Sequence, residues 1–229
     1  MSPPPRRLGA MTWPELADSA GRSLLAVPLG ATEQHGPHLP LGTDTMIATA
    51  LAERLAAARS DVIVAPGVPY GSSGEHAAFA GTLSIGGPVT ELLLVELVRS
   101  ADAFAGVVLV SGHGGNAPSL DGAVTLLRSE GRRVLGWEPR LSDGDAHAGR
   151  TETSLLLALQ PSAVRQDQAE RGNPAPLVEM LPTMRAGGVA AVSANGVLGD
   201  PEGATAEEGT RLLAAMAADL AAAVQAWLT

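Results

Sequence analysis

The chain has 229 residues, of which 45% are hydrophobic and 17% charged, and it carries a formal net charge of −9 and no cysteine. This length suits one α/β domain, and the negative charge argues against nucleic acid and anionic membrane surfaces, which both select basic patches. The sequence contains no run of 18 apolar residues, so we expect no transmembrane helix. No apolar stretch follows Arg6 and Arg7, so we expect no secretory signal. Without cysteines there is no disulfide framework, and we expect a cytoplasmic protein.

Strands and helices are predicted to alternate along the chain. Short apolar runs predict strands at residues 24–30, 62–65, 106–110 and 133–137. Helical spacing predicts helices at about residues 44–58 (with Thr43 as N-cap), 88–104, 117–129, 152–159 and 204–227. Residues 69–87 and 160–200 are rich in Gly and Pro and show no clear period.

This alternation predicts a mostly parallel sheet with helices on both faces and right-handed crossovers. In such sheets the functional site lies beyond the carboxyl ends of the strands. We expect a flexible tail over residues 1–10 and a single catalytic domain over residues 11–229, since no interdomain linker or repeat is visible.

All five histidines lie in short segments rich in Gly or Pro, outside helix interiors, and carboxylates stand beside several of them. Clusters of histidine and carboxylate suit divalent metals such as Zn²⁺, Mn²⁺ or Fe²⁺. The five are His35, His38, His76, His113 and His147.

The first cluster follows the first predicted strand and contains Glu33, His35 and Asp44. Residues i and i+2 of an extended loop point the same way, so Glu33 and His35 can face one metal pair. Asp44, with two oxygens, can bridge two ions. The alternative is that Asp44 only favours the helix dipole and that His35 is an ordinary loop residue.

The second cluster, Ser-Gly-His-Gly-Gly-Asn at residues 111–116, follows the strongest strand signal. Its glycines allow close backbone approach, so His113 is displayed at the sheet edge, and the Gly-Gly-Asn amides that end at Asn116 can form an oxyanion pocket. The alternative is a tight turn around a buried histidine. The segment lacks the glycine pattern of a dinucleotide site and the lysine of a phosphate-binding loop.

The third cluster contains His147 and Glu152, the latter in the first turn of a predicted helix. His147 suits general acid or base work near neutral pH. Glu152 has the alternative of a favourable helix-dipole carboxylate. We expect a structural hydrogen bond for His76, and for His38 a supporting role that holds the loop or a ligand carboxylate.

Together the three clusters, with Gly-Val-Leu-Gly-Asp-Pro at residues 196–201, resemble the creatininase family of metal-dependent amidohydrolases, from about Trp13 to the last helix. The resemblance implies a three-layer α/β/α sandwich, two divalent ions (Zn, Fe or Mn) per chain and a homo-oligomer such as a hexamer or related ring.

The resemblance also implies the ligands. Glu33, Asp44 and His113 would hold one ion, and His35, Asp44 and a further glutamate the other. Creatininase has that glutamate at the position of Gly115, so Glu152 is the expected substitute.

In this scheme water activated by the metal pair attacks the amide carbonyl, and His147 protonates the leaving nitrogen. Gln34 and Asn116 would orient substrate or backbone.

The resemblance implies that the substrate is a modified peptide or a small amide. Creatininases place tryptophans before the segment of His147, and residues 138–147 contain no aromatic residue. Residues 194–205 resemble instead a peptidase branch that releases a C-terminal Val-Tyr-derived dipeptide from a modified precursor. The alternatives are hydrolysis of creatinine or of a formamidopyrimidine, and a non-catalytic metal-binding scaffold.

Overall fold

The computed structural model describes residues 5–139 and 144–229. Within these ranges five parallel strands form one sheet in the spatial order β1-β3-β2-β4-β5. The strands are β1 (Arg6–Arg7), β2 (Leu24–Leu29), β3 (Val62–Val64), β4 (Gly106–Ser111) and β5 (Val134–Trp137).

Seven α-helices accompany the strands in the described ranges, together with several short 3-10 turns. The helices are α1 (Trp13–Ala17), α2 (Thr43–Ala58), α3 (Gly87–Ser100), α4 (Ala117–Ser129), α5 (Arg150–Leu159), α6 (Leu177–Gly187) and α7 (Ala206–Leu228).

Two predicted boundaries and the segment 160–200 differ clearly from the structure, and other predicted ends shift by one or two residues. Thr43 is the first helical residue of α2, with Gly42 in the cap position, because its hydroxyl donates to the Pro40 carbonyl and does not cap the helix. Helix α3 ends at Ser100, before the predicted 104. Residues 160–200 contain α6, whose interior Pro182 interrupts the helical signal.

The two faces of the sheet carry separate hydrophobic cores, since successive side chains of a strand point to opposite faces. In β2, Leu24 and Ala26 pack with α2, α5 and α7, whereas Leu25, Val27 and Leu29 pack with α3 and α4. Strand β4 divides its side chains between the same two cores. The predicted three-layer α/β/α architecture is therefore confirmed.

Residues 6–10, which the sequence assigns to a flexible tail, form β1 and a 3-10 turn. Arg6 pairs with Ile63 at the edge of the sheet, and Leu8 packs on the core beside α3. Residues 1–4 of the predicted tail lie outside the described residues.

The strand order places a topological switch between β2 and β4, because β2 leads into α2 on one face and β4 leads into α4 on the other. Ligands of open α/β sheets bind in the crevice at such a point. Gly112 lets the two following segments meet there, since a Cβ on this residue would lie 2.4 Å from the Asp44 carbonyl oxygen.

Helix α7 is the one segment of the described chain that is long and apolar enough to cross a membrane, judged by length and composition alone. Its side chains Leu213, Met216, Leu220 and Val224 are buried in the core shared with α2 and α5. Only 22% of its most apolar window is buried, so much of its alanine surface faces outward.

Candidate metal centre

The loop after β2 and the first turn of α2 bring Glu33, His35 and Asp44 together in the interior. Nδ1 of His35 lies 3.1 Å from the Glu33 carbonyl oxygen, to which it can donate, and Nε2 lies 3.0 Å from Oδ1 of Asp44. A metal-binding histidine commonly donates its other ring N–H to a backbone carbonyl in this way. The Nε2 atom of His35 is thus directed at the carboxylates.

His113 enters the same space from the end of β4. Its Nε2 lies 2.9 Å from the Ser72 carbonyl oxygen and 3.2 Å from Oε2 of Glu33, and its Nδ1 lies 3.5 Å from Oδ2 of Asp44. If Nε2 donates to the Ser72 carbonyl, Nδ1 faces Asp44 with a free lone pair.

Glu152 reaches the centre from the first turn of α5. Its Oε2 accepts a hydrogen bond of 2.6 Å from the Ala148 amide and lies 3.9 Å from Nε2 of His35. Ala148 has φ of +52°, in the region that favours glycine, and this local strain turns the chain between His147 and α5.

Three overlapping groups have potential ligand atoms within 4.8 Å of one another. They are Glu33, Asp44 and His113; His35, Asp44 and Glu152; and Glu33, His35 and His147. The first two are the ligand sets that the sequence resemblance implies, with Asp44 in both.

The burial of the carboxylate oxygens also indicates that this centre suits divalent ions. Both carboxylate oxygens of Glu33 and Oδ2 of Asp44 are buried without a hydrogen-bond partner in the described chain. Buried carboxylate oxygens are costly unless a donor or a cation compensates them. Zn²⁺, Fe²⁺ and Mn²⁺ all accept such mixtures of imidazole and carboxylate.

Burial and mutual charge shift the pKa values of these groups. Burial opposes protonation of His35, but Asp44, then Glu152 and Glu33, outweigh it and raise its pKa to about 10. Burial likewise opposes protonation of His113, whose pKa Glu33 and Asp44 raise.

The carboxylates respond to the same environment. Burial raises the pKa of Glu33 to about 7 against the opposing effect of His113, and burial also raises the pKa of Glu152. Burial favours neutral Asp44 too, but His35 and His113 lower its pKa. Protons on the imidazoles and divalent ions therefore compete for the same carboxylates.

His147 and His76 form a second layer around Gln34. The Gln34 Nε2 lies 2.8 Å from Nδ1 of His76 and 3.1 Å from Nε2 of His147, which itself lies 2.7 Å from the Gln34 carbonyl oxygen. Burial first, then nearby imidazolium charge, lowers the pKa of His76 to about 3 and that of His147 well below its usual range. Both rings are therefore neutral.

The segment around Gly196 supports this layer. The Gly196 carbonyl accepts from Nε2 of Gln34 at 3.0 Å. Leu198 pairs with His147 through backbone hydrogen bonds, which fixes the histidine beside the centre. The sequence motif at residues 196–201 therefore holds Gln34 and His147 in position next to the site.

His38 and Asn116 hold the backbone around the centre. Nε2 of His38 lies 2.8 Å from the Thr153 hydroxyl, which ties the loop after β2 to α5 beside Glu152. The Asn116 side chain accepts from the Ser72 amide and donates to the Gly30 carbonyl. Both side chains are fully buried, and Gln34 nearly so.

Sequence reasoning missed three residues near the centre. Ser73 is buried, and its hydroxyl has no hydrogen-bond partner among the described residues. Oε1 of Glu75 lies 3.9 Å from Nε2 of His113. Asp145 accepts hydrogen bonds from the Arg150 and Thr151 amides and so caps α5. In the sequence, the only indication that these three residues lie near the centre is their proximity to His76 or His147.

A cavity of about 750 Å³ opens beside the centre at Glu152. Apolar and acidic side chains share its wall with a single arginine among the described residues. Its lining includes Asp145, Arg150, Glu152, Leu177, Leu198 and Asp200.

A parallel α/β sheet whose carboxyl edge gathers overlapping sets of carboxylates and imidazoles beside a large cavity defines a metal-dependent hydrolase. The family model for creatininase, described as creatinine amidohydrolase, matches residues 9–224.

Individual relatives agree with this match. A mycofactocin precursor peptide peptidase of Mycolicibacterium smegmatis is 51% identical over 230 residues, covering 97% of this chain and 92% of that protein. One of Mycobacterium tuberculosis is 51% identical over 232 residues, covering 96% and 91%. A crystal structure of creatinine amidohydrolase is 27% identical, with a TM-score of 0.78 and 96% of each chain covered.

The chain belongs to the creatininase family of hydrolases, whose members are metal-dependent.

We predict that metal binding to this centre releases protons. An ion needs the neutral imidazole of His35, whose pKa of about 10 keeps it protonated at neutral pH. Binding of Zn²⁺ should therefore release at least one proton per chain and weaken as the pH falls. Titration calorimetry in buffers of different ionisation enthalpy measures this release, and binding heats that do not depend on the buffer would contradict it.

Proposed function

We propose that this protein is a dinuclear metal-dependent peptidase that releases the C-terminal Val-Tyr-derived dipeptide from the modified mycofactocin precursor peptide. The observation that carries the metal chemistry is the pair of ligand groups that share Asp44. The peptide substrate is supported by relatives of that name at 51% identity over nearly the whole chain.

In this proposal Glu33, Asp44 and His113 hold one ion, and His35, Asp44 and Glu152 hold the other. Three carboxylates against two dications leave about one positive charge, which favours an anionic water-derived ligand. The ions are Zn, Fe or Mn. When bound, such a pair lowers the pKa of water and polarises the scissile carbonyl.

His147 is proposed as the proton carrier of the reaction. Its neutral ring, held by the Gln34 carbonyl at Nε2, directs Nδ1 toward Glu33 at 3.8 Å. A neutral imidazole in this position can accept a proton from the attacking water and deliver it to the leaving nitrogen. Glu152 takes part in catalysis through the ion it holds, and Gln34 and His76 fix the orientation of the ring.

The cavity beside Glu152 suits a peptide segment. Its volume of about 750 Å³ lies within the range of sites for drug-sized ligands. Pro174, Pro176 and Leu177 line one side of it, and no aromatic residue lines it in the described part of the chain.

Hydrolysis of creatinine or of a formamidopyrimidine is the alternative within the family. It is less supported, because the solved creatinine amidohydrolase is only 27% identical and residues 138–147 lack an aromatic residue. Residues 140–143 of that segment lie outside the described residues. A non-catalytic scaffold, the alternative of another class, would be expected to lose ligands, whereas all those implied are present.

We further propose one catalytic domain over residues 11–229 and a cytoplasmic homo-oligomer, a hexamer or related ring. Exposed apolar side chains such as Leu177 and Val178 in residues 160–200 offer surface for such assembly.

The substrate is tested by incubating the metal-loaded protein separately with the modified precursor peptide, creatinine and a formamidopyrimidine. We expect release of the C-terminal dipeptide, detected by mass spectrometry, and no turnover of the two small amides. The Asp44→Ala variant serves as the inactive control. Turnover of creatinine with the peptide left intact would contradict the proposed substrate.

Asp44→Ala tests the bridging role. Because one carboxylate serves both ligand groups, we expect loss of both ions and of activity, whereas wild type retains about two ions per chain after gel filtration. Elemental analysis measures the metal content. One fully occupied site with normal turnover in the variant would contradict a bridge.

Glu152→Gln separates a ligand from a helix-dipole carboxylate. The dipole alone would contribute about 0.3–1 kcal/mol, and its loss would leave turnover nearly intact. A ligand would lose its charge while keeping its shape, so we expect much weaker binding of one ion and a rate lower by orders of magnitude. Two tightly bound ions and near wild-type turnover in Glu152→Gln would remove it from the ligand set.

A further inference from the structure

The short turn Gly74–His76 places a carboxylate on the outer side of His113. Glu75 is the middle residue of this turn, its side chain is 32% exposed, and its Oε1 lies 3.9 Å from Nε2 of His113. His113 is its only charged contact in the described part of the chain. Thus a partly shielded carboxylate lies against a buried imidazole that belongs to the centre.

Gly115 shows that this side of the centre has no room for another side chain. A Cβ at Gly115 would lie 2.3 Å from Nε2 of His113, 2.4 Å from the Ser72 carbonyl oxygen and 2.6 Å from Oε1 of Glu75. The first two atoms belong to a buried ring and to the backbone, so they cannot give way at low cost. The space beside His113 on this side is therefore filled by the Ser72 backbone and the Glu75 carboxylate.

The carboxylate of Glu75 lies next to the position that the Cβ of a side chain at residue 115 would occupy. Ser72 and Glu75 belong to one segment, so the same loop that orients the ring also presents the charge. The backbone of this turn packs closely against Gly188, where a Cβ would lie 2.7 Å from the Glu75 carbonyl oxygen.

We propose that Glu75 is a positioning residue of the metal centre, which strengthens the ion held by Glu33, Asp44 and His113 by acting on the outer nitrogen of His113. This inference rests on the proposed metal pair and names a further group of the same site. The Ser72 carbonyl, 2.9 Å from Nε2, already accepts the N–H of the ring, so Glu75 at 3.9 Å acts through its charge, which makes a metal-bound imidazole a better donor.

The test measures metal affinity, not turnover. In Glu75→Gln the side chain keeps its size and hydrogen-bonding capacity and loses its charge. We expect one of the two ions to bind about fivefold more weakly by titration calorimetry, with the other unchanged. Glu170→Gln, the same change at an exposed residue outside the ligand groups, should bind both ions as wild type does.

A double variant identifies which ion is affected. Glu152→Gln weakens the other ion under the proposed function, so Glu152→Gln with Glu75→Gln should weaken the ion that remains. Equal affinity of Glu75→Gln and wild type for both ions would overturn the role of Glu75 and leave the metal pair intact. Wild-type protein that binds no divalent ion would instead overturn the pair, and this inference with it.

Folding is checked separately. Thermal unfolding of the metal-free Glu75→Gln and Glu170→Gln proteins should agree, since the proposed role concerns the ion and not the packing. If Glu75→Gln does not fold, Glu75→Asp retains the charge at a greater distance from His113, and an intermediate loss of affinity is expected. Unchanged affinity in a folded Glu75→Asp would then overturn the proposal.

Discussion

The arrangement of the centre depends on one buried carboxylate. Asp44 is 1% exposed and lies 3.0 Å from Nε2 of His35 and 3.5 Å from Nδ1 of His113. Such a carboxylate is costly in a protein interior unless cations or donors surround it. The segments after β2 and β4 each bring an imidazole to Asp44, and Gly112 allows their backbones to approach closely.

Sheet topology explains why these segments are neighbours although about seventy residues separate them. Strands β2 and β4 are buried at every position, so each contributes to both cores and both lie in the middle of the sheet. Their crossovers leave toward opposite faces, and this opens the crevice in which the histidines collect. The hydrophobic pattern therefore determines the location of the centre, and the polar residues determine its chemistry.

The sequence predicted those parts that carry a periodic or local signal. The central strands and longer helices follow from apolar spacing, and Glu33, His35, Asp44 and His113 follow from loops after predicted strands. Helix α6 was missed because Pro182 and the surrounding Gly and Pro residues hide its period. The Ser73 and Glu75 positions were missed because a glycine-rich loop gives no information about which side chains it turns inward. Only tertiary packing against His113 and Glu33 determines that.

Glu152 shows how the fold separates two roles that a sequence cannot distinguish. A carboxylate in the first turn of a helix is usually explained by the exposed amides there. In α5, however, Asp145 already accepts from the Arg150 and Thr151 amides. Glu152 instead accepts from the Ala148 amide, and the same Oε2 faces His35. Since Asp145 already accepts from the first amides of α5, the position of Oε2 beside His35 supports the proposal that Glu152 serves the metal centre.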